Sequence, residues 1–249
     1  MLAILSDIHS NLEALTAAFE EIDRRGITDV ICLGDIVGYG PNPMECIDLV
    51  AQRCKVSLMG NHDFAVFYEP YNFNSGAEQA SYWTRERFET DPDPDRRARR
   101  WRFLGNLPVR LRTPEFVAVH ASPRRPINEY IFPDDIYTNP GKFVAIFERF
   151  EKYCFVGHTH VPGVFFEGPD FYSPDELDGK YELKDEKAII NVGSVGQPRD
   201  RDSRSSFVVL TEKAVEFVRV AYDVDSTVKK VESIEALDDF LGARLRDGR

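Results

Sequence analysis

The chain has 249 residues, 43% of them apolar, which is enough to bury a large core, and its length alone allows one or two domains. Lys+Arg of 31 against Asp+Glu of 42 gives a formal net charge of −11, which disfavours broad contact with duplex nucleic acid or an anionic membrane and means that an anionic ligand would need a local positive source. No apolar stretch of about 18 residues occurs, Met1-Leu2-Ala3-Ile4-Leu5 lacks a basic leader region, and Cys32, Cys46, Cys54 and Cys154 show no CxxC spacing, so the expectation is a soluble cytoplasmic protein without structural disulfides.

Leu2 to Leu5 is a short apolar run that reads as a buried strand. Asn11 can cap the next segment, where Leu12, Leu15, Ala18, Phe19 and Ile22 recur at helical spacing up to Gly26. Asp29 to Leu33 reads as a second strand, Pro41-Asn42-Pro43 opens a second helix through about Gln52, and Val56 to Met59 is a third strand. This alternation implies parallel pairing with right-handed crossovers, in which ligands gather beyond the carboxyl ends of the strands. Three polar blocks lie there: Ser6-Asp7-Ile8-His9-Ser10-Asn11, Gly34-Asp35-Ile36-Val37-Gly38 and Gly60-Asn61-His62-Asp63.

Residues 64 to 107 break the rhythm. Asn74 to Phe88 and Arg96 to Leu104 read as helices around the acidic break at Asp91, Asp93 and Asp95, and the segment is taken as a helical insertion. Phe116 to Val119 is a strand delivering His120, Phe143 to Phe150 a helix, and Tyr153 to Val156 a strand delivering Gly157-His158-Thr159-His160. Beyond it, Val164 to Glu167, Lys187 to Val192, Ser206 to Thr211 and Ala214 to Ala221 read as strands without intervening helices, which favours a second, antiparallel sheet. Ser233 to Leu245 reads as a final amphipathic helix, and the whole of 1–249 as one domain of two sheets flanked by helices.

Asp7 and His9 are two apart in an extended turn and can face one ion, since alternate residues share a face, and His158 and His160 repeat the device. Asp35 alone ends the second strand, where its two oxygens could bridge two ions; Asn61 offers an amide oxygen and His120 an imidazole nitrogen. These are oxygen and nitrogen ligands without a thiolate, which suits Mn2+, Fe, Zn2+, Co2+ or Ni2+ better than a cysteine zinc site, and two ions fit the set better than one. Alone, Asp7-x-His9 or Gly34-Asp35 would more often be turn or capping chemistry, while Gly60-Asn61-His62-Asp63 could as well be a β-turn and Gly157-His158-Thr159-His160 a polar strand end. Their conjunction, with all five histidines of the chain at the ends of apolar runs, carries the metal reading.

Taken together, Asp-x-His, Gly-Asp, Gly-Asn-His-Asp, a lone His after a strand and Gly-His-Thr-His resemble the calcineurin-like metallophosphoesterase superfamily over Asp7 to His160. The resemblance implies an αββα sandwich of two mixed sheets, one ion held by Asp7, His9 and His160, the other by Asn61, His120 and His158, and Asp35 between them. It implies two divalent ions, Mn2+ first, and attack at phosphorus by a hydroxide held between ions about 3.5–4 Å apart. It also makes His62 the group that serves the leaving oxygen, with Asp63 orienting its ring. Where protein serine/threonine phosphatases carry an arginine after the bridging aspartate, this chain has Gly38-Tyr39-Gly40, which argues against a phosphoprotein substrate. The small prokaryotic phosphodiesterase branch is the nearer likeness, strengthened by His120-Ala121-Ser122-Pro123-Arg124 and by Asn191 to Arg199.

The expected function is therefore hydrolysis of a small nucleotide-like phosphodiester or phosphoanhydride, with Asn11, Tyr39, Arg124 and Arg199 as substrate contacts. For the two arginines the competing reading is pairing with acids such as Asp200 and Asp202. The run Arg96 to Arg102 reads either as a solvated face answering Asp91, Asp93 and Asp95, or as a lid with Trp101, Tyr68, Tyr71 or Phe73 stacking on a base. The alternatives are a phosphomonoesterase and a non-catalytic scaffold on the same fold, with dimers allowed by exposed apolar surface.

Overall fold

The central strands of this chain, such as the one over Leu2–Leu5, are buried on both faces, and the reason is visible in where alternate residues go. The structure, a computed structural model, describes residues 1–249. In β1 (Leu2–Leu5), Ala3 and Leu5 face one core cluster while Ile4 faces another. The first half continues with α1 (Leu12–Arg24), β2 (Asp29–Cys32), α2 (Pro43–Arg53) and β3 (Val56–Ser57), and β1, β2 and β3 pair in parallel. Asn11 caps α1 by accepting the Ala14 N–H at 3.1 Å.

Helices α3 (Asn61–Phe67), α4 (Ser75–Glu89) and α5 (Pro94–Gly105) follow. The block Gly60-Asn61-His62-Asp63, read from the sequence as a turn, is the first turn of α3: Asp63 reaches back to accept the Gly60 N–H at 3.0 Å, as a third-position acid does in a capping box. Then come β4 (Leu111–Arg112), β5 (Phe116–Ala118), α6 (Asp135–Thr138), α7 (Pro140–Phe147), β6 (Tyr153–Val156), β7 (Gly163–Phe166), β8 (Asp170–Tyr172), β9 (Lys180–Glu182), β10 (Ala188–Asn191), β11 (Ser205–Leu210) and β12 (Ala214–Val220). Two sheets result, in the orders β3-β2-β1-β11-β12-β9 and β4-β5-β6-β10-β7-β8, each mixing parallel and antiparallel pairs.

The strands after His160 therefore do not form a sheet of their own. β11 and β12 extend the first sheet beside β1, while β7 and β10 extend the second beside β6. A short strand buried on both faces carries no mark of which edge it joins, so only packing decides. The tail is also corrected: α8 (Val224–Glu232) ends at Ser233, and α9 (Asp239–Ala243) starts under an Asp238 cap and runs into a 3-10 turn, Arg244–Asp247. Of the expected helix over Ser233 to Leu245 only α9 and the start of the 3-10 turn form, and α8, which the sequence pattern does not predict, precedes it; Asp223 and Asp238 each accept a backbone N–H at the two helix starts.

Ile4, Phe155, Val164, Ile190, Val208 and Val215 fill the space between the sheets. Outside the first sheet, Ala18, Phe19 and Ile22 of α1 and Ile47 and Val50 of α2 pack on Val30, Phe207 and Val209; outside the second, Phe143, Ile146 and Phe147 of α7 pack on Cys154, Val156 and Ile189. The two mixed sheets are thus flanked by helices in four layers. All four cysteines are free, and no helix is long and apolar enough to cross a membrane. At one end of the sandwich the loops after β1, β2 and β3 meet those after β5, β6 and β10.

Candidate metal centre

The loops that meet there are strained. Asp7 (φ 55°), His9 (49°), Asp35 (52°), His158 (65°) and His160 (62°) all adopt the left-handed region that side chains other than glycine rarely occupy. A hydrogen-bond lattice holds them: Asp7 N–H donates to Gly34 O at 3.0 Å, His9 N–H to Asp35 O at 2.9 Å, and Ser194 Oγ and Gly196 N–H donate to Asp7 O at 2.7 and 2.9 Å. Asp7 Oδ2 accepts the His158 N–H at 2.9 Å, and Asp35 Oδ1 accepts the His62 N–H at 2.8 Å. Gly60 and Gly157 are required for close approach, because a Cβ at either would run into the Asp35 or the Asp7 carboxylate.

Each aspartate so uses one oxygen for the backbone and turns the other inward. Around Asp7 Oδ1 lie His160 Nε2 at 3.2 Å and His9 Nε2 at 3.8 Å, with the two imidazole nitrogens 3.1 Å apart. Asp35 Oδ2 is 3.6 Å from His9 Nε2 and 3.3 Å from His120 Nε2, and so belongs to both groups. His120 Nε2 in turn is 3.1 Å from Asn61 Oδ1 and 3.2 Å from His158 Nδ1.

Atoms that share an ion at about 2.1 Å lie roughly 3.0–3.4 Å apart, close to these separations. Protons alone cannot reconcile the arrangement. His120 Nε2 carries at most one hydrogen yet faces Asp35, Asn61 and His158, and Asp7 Oδ1 is buried without any hydrogen-bond partner. The groups Asp7, His9, His160 and Asp35, His120, His158 can each hold a metal ion, and the residues present fit that demand.

Protonation favours ligand forms. Burial would raise the Asp7 and Asp35 carboxyls, but the imidazoles beside them, His160 for Asp7 and His120 for Asp35, hold both below the ordinary range. Burial pushes His9 and His160 down and brings His158 to about 3. For His120 burial is outweighed by Asp35, which lifts it to about 9, so a cation there would displace a proton. His160 Nδ1 lies 2.6 Å from Gln197 O, where it can only donate, and this leaves Nε2 as the lone pair facing Asp7.

His62 sits at the rim of this centre. Its ring lies 4.4 Å from that of Tyr39 and 4.6 Å from that of Phe73, edge-on to His9 at 4.8 Å, and its Nδ1 is buried without a partner. Asp63 does not orient it: the Asp63 carboxylate accepts the N–H groups of Gly60 (3.0 Å), Ile36 (3.0 Å) and Val37 (3.3 Å), tying α3 to the loop after β2. Burial, helped by Asp35, raises Asp63 to about 7, against those N–H donors.

The expected substrate contacts divide. Tyr39 flanks both His9 and His62, at 4.8 and 4.4 Å. Asn11 is withdrawn: its amide caps α1, donates to Gly196 O at 2.8 Å and to the Tyr222 hydroxyl at 3.2 Å, and accepts from Thr227 at 3.0 Å. Arg124 is held by Glu129. Arg199 instead reaches Gln197 Oε1 at 2.9 Å and leaves Nε buried and unpaired, while Asp200 and Asp202 pair with Arg219 and Arg204.

Arg96 and Arg100 of the basic run are tied down by acids, while Arg99 and Arg102 have no ion-pair partner. Arg100 binds Asp91 and Asp48, Arg96 binds Asp91 and Asp93, and Trp101 packs between Phe67 and Phe88 at 6.0 and 5.5 Å. Sequence reading missed Tyr130, whose ring stacks on His158 at 4.0 Å, and Arg244 of the terminal 3-10 turn, pushed down to about 10 by burial and by Arg199. Neither lies in a patterned block, and Arg244 falls within the segment whose periodicity predicts only an amphipathic helix.

A model of the calcineurin-like phosphoesterase family matches residues 1–162. Among curated proteins, an uncharacterized protein of Methanocaldococcus jannaschii is 38% identical over 259 residues, spanning 100% of this chain and 98% of its own length. Among solved structures, a metallophosphoesterase from Sphaerobacter thermophilus is 36% identical with a TM-score of 0.84, covering 100% of this chain and 98% of its own. A hypothetical protein from Pyrococcus horikoshii, 20% identical with a TM-score of 0.74 and coverage of 100% and 99%, shares the fold. The matched residues carry the strained loops and both ligand groups, and by that match and the full-length likeness the chain belongs to the calcineurin-like phosphoesterase family.

Proposed function

We propose that this phosphoesterase is a binuclear, metal-dependent phosphodiesterase cleaving a small nucleotide-like phosphodiester or phosphoanhydride. The observation that carries the reading is Asp35 Oδ2, placed within 3.6 Å of one ligand group and 3.3 Å of the other, so that one carboxylate serves two ion positions. Asp7, His9 and His160 would hold one ion and Asn61, His120 and His158 the other. Bound there, two divalent ions supply positive charge for phosphate oxygens and acidify an attacking water. The ligand set lacks thiolate, which favours Mn2+, with Fe, Zn2+, Co2+ and Ni2+ as competitors.

The protein's own groups supply the rest. Burial pushes His62 down to about 4, with Asp35 pulling the other way, so its ring is neutral at pH 7 in the free chain. A phosphodiester anion brought against it favours the imidazolium, and that proton then goes to the departing oxygen. Tyr39 fixes the ring by contact, and Arg199, without a carboxylate of its own, offsets charge on the substrate. A diester rather than a monoester is supported by a cavity of about 600 Å³ beside Asn61 and His158, which leaves room for a second organic group.

Turnover of bis(4-nitrophenyl) phosphate and 4-nitrophenyl phosphate by Mn2+-loaded protein tests the reading. Diester hydrolysis abolished by EDTA and restored by Mn2+ supports it. Preference for the monoester by tenfold or more makes the protein a phosphomonoesterase, and inactivity of fully metallated protein on a broad phosphoester panel leaves a scaffold.

A further inference from the structure

The cavity of about 600 Å³ beside Asn61 and His158 is built by two loops that the chemistry above does not use. One, between α3 and α4, contributes Tyr71, Asn72 and Phe73; the other, ahead of α6, contributes Arg125, Asn128 and Tyr130. Aromatic rings stand on both sides of the centre. Tyr130 is stacked on His158 (centroids 4.0 Å apart, planes within 23°) and on Phe132 (5.2 Å, 8°), so its faces are engaged within the wall, and Phe73 packs on His62 at 4.6 Å with a 40° tilt. Tyr71 is 74% exposed, a large ring left in water at the mouth of the cavity.

Polar groups in the same wall are unengaged. Asn72 holds a left-handed backbone (φ 60°) and lines the cavity, its amide without a hydrogen-bond partner in the protein. Asn128 presents a second amide. Arg125 donates its backbone N–H to Ser122 Oγ at 3.0 Å, while its guanidinium has no carboxylate partner; the neighbouring Arg124 is the one locked onto Glu129. In a chain whose 42 acids outnumber its 31 basic residues, this exposed arginine stands without a carboxylate beside an anion-binding centre and is available to an anionic or strongly polar group.

We propose that this cavity is a nucleobase subsite: Tyr71 provides the open stacking face, Phe73 and Tyr130 wall the slot, Asn72 and Asn128 meet the hydrogen-bonding edge of the base, and Arg125 meets the ribose or an adjoining phosphate. The assignment rests on the phosphodiesterase reading and makes its substrate a nucleoside 5′- or 3′-phosphodiester whose base lies on the side of Asn61 and His158. A base is the ligand that uses the whole wall. Stacking needs a flat π-face, and an amide side chain can donate and accept at once along a base edge. An acyl chain would fill the aromatic part but leave two amides and a guanidinium desolvated without partners.

Isothermal titration of the metal-loaded protein with the four common nucleoside 5′-monophosphates and with ribose 5-phosphate tests this, because the pair differs only by the base. At least one nucleotide should bind about tenfold or more tightly than ribose 5-phosphate. In Tyr71→Ala and Asn128→Ala, both on exposed loop positions, that ratio should fall to within about twofold of unity. Equal affinity for all nucleotides and ribose 5-phosphate overturns the subsite, as does a ratio that survives in both variants. Loss of binding to both ligands in equal proportion, the signature of a damaged fold, also counts against it. Turnover of bis(4-nitrophenyl) phosphate separates the two readings: its absence with the base preference intact removes the phosphodiesterase and keeps the subsite, and its presence without the preference does the reverse.

Discussion

Asp35 keeps its place with Oδ1, on the His62 N–H, and leaves Oδ2 between two sets of ligands. Replacing it by Asn puts a neutral amide where a shared anion is needed, so Asp35→Asn should lose activity by about a thousandfold or more together with most bound metal, measured by elemental analysis of protein dialysed against Mn2+. His62 differs in kind: its backbone N–H holds Asp35, and its ring stands beside His9 and Asp35 but is packed between Tyr39 and Phe73, outside the two ligand sets assigned above. His62→Gln should lower kcat by roughly 10²–10⁴ with metal content near wild type. Metal lost along with rate in that variant would refute the proton role.

At the scale of elements, the loops carry chemistry and the helices hold the loops. Asn11 joins α1, the Gly196 loop, Tyr222 and Thr227 of α8 through one buried amide. Asn11→Ala should therefore cost about 1–3 kcal/mol and lower the melting temperature by several degrees, with KM for a small aryl diester within about twofold of wild type. A KM effect without a stability effect would return Asn11 to the substrate. Helix α5 is pinned by Arg100 to Asp48 and Asp91. The Asp93 backbone N–H first, and Arg100 second, hold Asp91 at about 2 instead of 3.8. A carboxyl depressed in the folded state stabilises above its unfolded pKa and loses that contribution as pH falls through the folded one. Arg100→Met should accordingly melt several degrees below wild type at pH 7, and the gap should close between about pH 4 and pH 2; a gap constant down to pH 2 would assign the loss to packing alone.

For the whole molecule, the two sheets bring strand ends from distant segments to one edge and concentrate ionised carboxylates and imidazoles there, of which only His120 holds a proton that a metal ion would displace. Metal should bind the folded chain far better than the unfolded one. Free Mn2+ at about 100 times its Kd should contribute about 2.7 kcal/mol, raising the melting temperature by roughly 5–10 °C, and Asp35→Asn should show little of that rise. Calorimetry with Mn2+ and with EDTA measures both.

Much of the centre was legible in the sequence because each ligand block sits just past an apolar run: Asp7 after β1, Asp35 after β2, His120 after β5, His158 and His160 after β6. Apolar runs and polar strand ends are local features, and local features are what a sequence displays. The same holds for the helix caps and for the change of rhythm after His160. Which sheet β10 and β11 join, that Asp63 ties a loop instead of aiming His62, that Arg124 is taken by Glu129 while Arg125 lines the cavity, and that Arg244 returns to Tyr39 are decided by contacts between residues far apart in the chain or by which of two adjacent side chains turns inward. Charge and periodicity are the same for either arginine, and a strand apolar on both faces fits either sheet. Here the sequence by itself determined the alternation of strands and helices and the kinds of ligand at the strand ends. Only the tertiary structure decided which side chains are free to meet a substrate, because a partner that takes a side chain out of play is set by packing across the whole fold.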